Sequence, residues 1–181
     1  RLVLDPDQGT DLLINILTHQ LHKATANMGV GRAMSSYALS QKYLSSELYD
    51  ELDRVYLDLT SDAAALNATF VQLPPDYLIE IEELSGKAAK SMLDLRDSIG
   101  LNIIEAMQLD MPWPDFFEQS SEHMKNVYEL ANFLIPYTQS KLEQRIDALQ
   151  LSVILFLACT LALLIFIFYL MWGMYFSIMR T

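Results

Sequence analysis

The sequence has one cysteine, Cys159, so no disulfide can form within the chain; stability has to come from packing. It lacks a glycine-rich phosphate loop, paired-cysteine metal ligands, a nucleophile elbow and a kinase signature, which argues against an enzyme within these residues. No strand alternation competes with the helical spacing described below. Charge is missing from one long run: Gln150 to Met179 are thirty residues without Asp, Glu, Lys or Arg. The chain also opens at Arg1 without an initiator methionine, a basic n-region or a hydrophobic h-region, so we expect further sequence before it.

The uncharged run is well past the ~20 residues needed to cross a bilayer. It predicts a transmembrane helix over residues 149–176, with the lipid bilayer as an obligatory partner. Tyr169, Trp172 and Tyr175 cluster toward its end, where amphipathic rings favour the headgroup zone. Eleven of the 12 basic and all 23 acidic residues precede the span. An acidic surface of this kind repels nucleic acid and anionic lipid. Arg180 is the only basic residue after the span, and on that hint the preceding domain is placed outside the cytoplasm.

Apolar and small residues recur at spacings of three and four over four segments. Ile14, Leu17, Leu21, Ala24, Met28, Gly31, Ser35 and Ala38 mark a first helix over about Thr10 to Gln41. Leu48, Leu52, Val55, Leu59, Ala63, Leu66, Phe70 and Leu73 mark a second, with Ser45 or Ser46 as its N-cap and Pro74-Pro75 as its end. Asp76 is the candidate cap of a third, striped by Tyr77, Ile81, Leu84, Ala88, Met92, Leu95, Ile99, Ile103 and Ala106. Beyond the MPWP turn, Phe117, Ser121, Met124, Tyr128, Ala131, Ile135, Thr138, Leu142, Ile146 and Leu149 run in near-heptad spacing toward the span without a break. The expected fold is all-α, an elongated up-down-up-down four-helix bundle over residues 1–148 continuous with the transmembrane helix.

Several residues invite a chemical reading. Arg32 borders the first stripe beside Gly29, Gly31, Ser35 and Ser36, and Arg96 borders the third. A half-buried guanidinium offers a fork of donors suited to a small anionic ligand such as a carboxylate, nitrate or phosphate. An ion pair with an acid across the bundle is the alternative, since Asp94 and Asp97 are not expected to share a face with Arg96. The two glycines imply either close helix approach or room for a ligand. His19 and His22 are three apart, a spacing that can present two imidazoles to a metal, but no carboxylate lies within a turn of them. They read as exposed polar residues, and no metal or cofactor is expected. The tyrosines read as stripe, surface and end packing rather than an aromatic box. Pro136 removes an intrahelical bond and should kink the fourth helix near Asn132, as a hinge or as a tolerated bend.

The opening LVLDPD, the small-residue stretch MGVGRAMSSYAL, the later FFEQSSEHMKNVYEL and LEQRIDAL, and FYLMWGMYFSIMR after them together resemble the sensor regions of bacterial chemoreceptors, histidine kinases and diguanylate cyclases. The resemblance implies a periplasmic four-helix sensor, a second transmembrane helix and, from residues 177–181, the start of a HAMP-like linker. It implies a two-span protein of the bacterial inner membrane, a homodimer through helix 1 and helix 4, and a small ligand or a periplasmic binding protein as the signal. Pro136, Arg145 and Trp172 are then the candidate relay positions. The function expected is transmembrane signal transduction, most simply of the chemotaxis type. A membrane-anchored helical scaffold that binds no small molecule is the rival.

Overall fold

The computed structural model describes residues 8–179. The LDPD opening and Arg180 lie outside the described residues, as do the ends of the segments at residues 1–148 and 177–181. The chain forms α1 (Gln8–Asn15), a π turn at Ile16–Gln20, α2 (Leu21–Gln41), α3 (Ser46–Phe70), α4 (Pro75–Ile99), a second π turn at Gly100–Ile104, and α5 (Trp113–Met179). No strand occurs among the described residues. Because the π turns join their neighbours without a gap, the described residues form four helical passes.

Side-chain bonds fix the directions of these passes. Lys23 donates to Asp62 and Gln20 donates to Thr69, so α2 and α3 run oppositely. Arg96 reaches Thr60, while a Cβ on Gly100 would meet Tyr56, so α3 and α4 do too. Asn126 donates to Ser91, and Lys87 pairs with Glu129, which sets α5 against α4. Arg32 with Ser121, and Gly29 beside Met124, set α5 against α2. The result is the expected all-α, up-down-up-down bundle.

The local chemistry of each helix end explains the turns. Ser45 caps α3, its side chain accepting from the Leu48 N–H at 3.2 Å, with Glu47 in the first turn. Asp76 is not the cap of α4. Pro74 holds that position and Pro75 is the first helical residue, where the missing N–H has no intrahelical partner to lose. α2 ends on Lys42, which has φ 52°. The Lys42 N–H bonds the Leu39 carbonyl, and the Tyr43 N–H bonds that of Ala38. Both bonds belong to a Schellman motif, a place glycine usually fills.

The predicted stripes of α3 and α4 are the buried ones, from Leu52 to Leu73 and from Tyr77 to Ile103. Two stripes differ. In the first pass Leu13 and Ile16 are buried, whereas Ile14 and Leu17 are not. The π turn inserts one residue, its Leu21 N–H bonding the Ile16 carbonyl five positions back, and this rotates everything before it by a residue. In α5 the core takes Phe116, Ser120, Met124, Val127, Leu130 and Leu134, while Phe117, Tyr128 and Ile135 stay exposed.

The chain divides into two compact units between Thr138 and Gln139. No side chain from Gln139 to Ala148 is buried, although all of them belong to α5. Within the second unit, the uncharged part of the helix is apolar on every side, with a mean hydropathy of 3.0 over its most apolar stretch and none of that stretch buried. α5 is thus long and apolar enough to cross a membrane. At ~1.5 Å per residue, the thirty uncharged residues would extend ~45 Å, against ~30 Å of hydrocarbon.

Candidate functional site

The first half of α2 is drawn close to its neighbours by a missing side chain. A Cβ on Gly31 would lie 3.0 Å from both Ile99 Cδ1 and Val55 Cγ1, tighter than ordinary packing. Of the two roles the sequence leaves open for the glycines, Gly31 serves close approach, its space taken by α3 and α4. Next to it, Arg32 lies at the seam between α2 and α5. Its Nη1 donates to Ser121 Oγ at 3.0 Å, and its guanidinium sits 4.5 Å from the centroid of Phe117. Ser121 in turn donates to the Phe117 carbonyl at 2.6 Å, which leaves its lone pairs turned to the arginine.

Four of the buried polar atoms without a hydrogen-bond partner lie along this seam. Arg32 Nε, Ser35 Oγ and Ser36 Oγ have none, nor does His123 Nε2 on the facing helix. Ser35 and Ser36 follow Arg32 by three and four residues and so share its side of α2. Among the described residues no carboxylate pairs with Arg32. Buried polar groups in proteins are nearly always satisfied. Three unpartnered donors within four residues of one helix are the kind of groups that hold an anion. A cleft of about 310 Å³ between Ala33, Ser36, Tyr37, Ser40, Trp113 and Phe117 opens beside it. Phe117 is common to both: its ring lines the cleft and lies under the guanidinium.

Arg96 is differently placed. Its Nε and Nη2 donate to Asp97 Oδ1 at 2.8 and 2.5 Å, Nη1 reaches Thr60 Oγ1 at 3.4 Å, and the guanidinium stands 5.5 Å from the Tyr56 ring. The expectation that Asp97 could not meet Arg96 is therefore corrected: the long side chain folds back along the helix to its sequence neighbour. With its donors engaged, Arg96 does not join Arg32 in one site. His19 and His22 are both exposed, and among the described residues no three potential metal ligands come together. His123 lies level with residue 30 by the pairing of 32 with 121 and 29 with 124, about two turns from His22.

Two polar nodes brace the bundle elsewhere. Asp62, 7% exposed, accepts from Lys23 Nζ at 2.8 Å and from Asn27 Nδ2 at 2.7 Å. The bond to Asp62 raises the Lys23 pKa above its usual 10.5. Lys87 and Glu129 meet at 2.8 Å between α4 and α5. Their hydrogen bond raises the lysine and lowers the glutamate.

No family model, curated protein or solved structure matches the chain. The reading of its function rests on its own residues. Pro136 is exposed within α5, Arg145 is half-buried, and Trp172 is exposed within the apolar segment; the structure brings none of the three to the Arg32 seam. Sequence reasoning found Arg32, Ser35 and Ser36 but not Phe117, Ser121 or His123 as their neighbours. Phe117 and Ser121 belong to the stripe of α5 whose spacing points to the core, and no spacing singles out His123.

Proposed function

We propose that the chain is the sensing and membrane-relay part of a transmembrane receptor. The observation that supports this most is α5, which takes part in the bundle core up to Thr138 and continues as one helix into a segment apolar enough to span a bilayer. A small anion, held by the spare donors of Arg32 with Ser35 and Ser36, changes the α2–α5 seam and so biases the helix that enters the membrane. A coupling of about 1–3 kcal/mol, typical of allosteric systems, suffices. In this reading the bundle is periplasmic, the membrane is the bacterial inner membrane, and the full protein is a two-span homodimer through helix 1 and helix 4 with a HAMP-like linker and a cytoplasmic output. The exposed apolar side of α5 at Phe117, Tyr128 and Ile135 supports the dimer.

That same exposed side, with the packed space at Gly31, favours the second reading, a membrane-anchored scaffold without a small-molecule ligand. The two separate in one experiment. The chain is placed in nanodiscs with a nitroxide on Cys159, its one cysteine, and titrated with acetate, nitrate and phosphate. Receptor function predicts a spectral change with at least one anion that disappears in Arg32→Ala. No change with any of them, or the same change in the variant, favours the scaffold.

A further inference from the structure

The bundle end formed by the 42–45 and 105–112 connections carries a second concavity, independent of the Arg32 seam and of whether the chain signals. It is a cleft of about 430 Å³ whose lining includes Lys42, Tyr43, Ile103, Ile104, Leu109 and Asp110, within the ~300–1,000 Å³ range of ligand pockets. Three features bear on what it could hold. Lys42 occupies the left-handed position where glycine is preferred. Lys42 and Asp110 line the same cleft, yet neither forms an ion pair among the described residues. And the wall from Ala106 to Met111 is irregular, with no bond between its backbone and another backbone group among the described residues, so its donors and acceptors are open to water or a ligand.

We infer that this cleft binds a short peptide with free termini and apolar side chains. A short peptide can bond its main chain to open backbone groups of such a loop and seat its side chains against apolar ones. Here Ile104, Met107 and Leu109 supply the apolar surface. The opposite charges of Lys42 and Asp110 take the carboxylate and the ammonium at the two ends of the ligand. A single anion would leave Asp110 opposed to it, and a single cation would leave Lys42 so.

Titration calorimetry of the full chain in detergent with trileucine tests this, because Lys42→Gly keeps the turn that glycine favours and removes only the ammonium. Trileucine is expected to bind, and Lys42→Gly and Asp110→Asn are each expected to weaken it at least about tenfold, with Lys42→Arg close to the parent. C-terminal amidation should mimic the Lys42 variant, and N-acetylation the Asp110 variant. Any of three results overturns the proposal: no heat from trileucine at millimolar concentration, undiminished binding of the doubly blocked peptide, or free leucine binding as well as trileucine.

Discussion

Replacing Arg32 by methionine should leave the fold almost as stable as before. The Nη1 bond to Ser121 is a hydrogen bond from a charged group, worth about 1.5–3 kcal/mol, and the contact with the Phe117 ring adds about 0.5–2 kcal/mol. Against these stands the buried Nε without a partner, at a cost of about 1–3 kcal/mol. Methionine keeps an unbranched stem at the seam and offers Phe117 a sulfur contact of about 0.3–1.5 kcal/mol. Ser121 is not orphaned, because it still donates to the Phe117 carbonyl. At mid-range these terms nearly cancel, which puts the expected loss at about 1 kcal/mol, or about 2–4 °C in Tm for a chain of this size. Thermal unfolding of the full chain in detergent, followed by circular dichroism at 222 nm, reads it. A loss above about 3 kcal/mol would mean that Arg32 is a structural keystone, and the case for its donors being held for a ligand would fail.

Three further outcomes follow from the packing and the ion pairs. Gly86, with nothing within 4 Å of a Cβ added there, should become about 0.8–1 kcal/mol more stable as Gly86→Ala; Gly31→Val, driven into Ile99 and Val55, should lose about 1–3 kcal/mol, and equal effects at the two sites in chemical denaturation would contradict the packing described. Asp62→Ala strips Asn27 Nδ2 of its acceptor and should cost about 1–3 kcal/mol, whereas a change near zero by the same assay would show that the node contributes nothing. The Lys87–Glu129 pair sets two pH limits. Because the folded lysine pKa is raised, its contribution is complete below 10.5 and lost as pH climbs through the folded value; because that of Glu129 is lowered, its contribution is complete above 4.5 and lost as pH falls through the folded value. Lys87→Met should flatten both limbs of the Tm profile, and an unchanged profile would refute the assignment.

The helices of α3 and α4 were legible because each has one apolar stripe with regular spacing and a distinct boundary, Ser45 before one and the Pro74-Pro75 pair between them. α5 was harder. Phe116, Ser120, Val127 and Leu134 compete with Phe117, Ser121, Tyr128 and Ile135, one residue away, and periodicity alone cannot say which stripe faces the core. Ile14 and Leu17 misled for another reason. A π turn adds a residue to the helical count, and no residue type in ILTHQ announces it. At the site, Arg32 and the two serines were readable from one helix. Their significance was not, because an orphaned Nε or hydroxyl is defined by what the neighbouring helices fail to supply. Arg96 shows the converse, its long side chain reaching an adjacent aspartate that helical geometry alone would exclude.

The account depends above all on α5 remaining helical between Thr138, the last buried residue among those described, and the start of the uncharged run at Gln150. Backbone 13Cα chemical shifts of residues 136–152 in nanodiscs measure this directly. We predict helical values at every position across the segment. Coil values at three or more consecutive residues would separate the bundle from the membrane helix and contradict the relay.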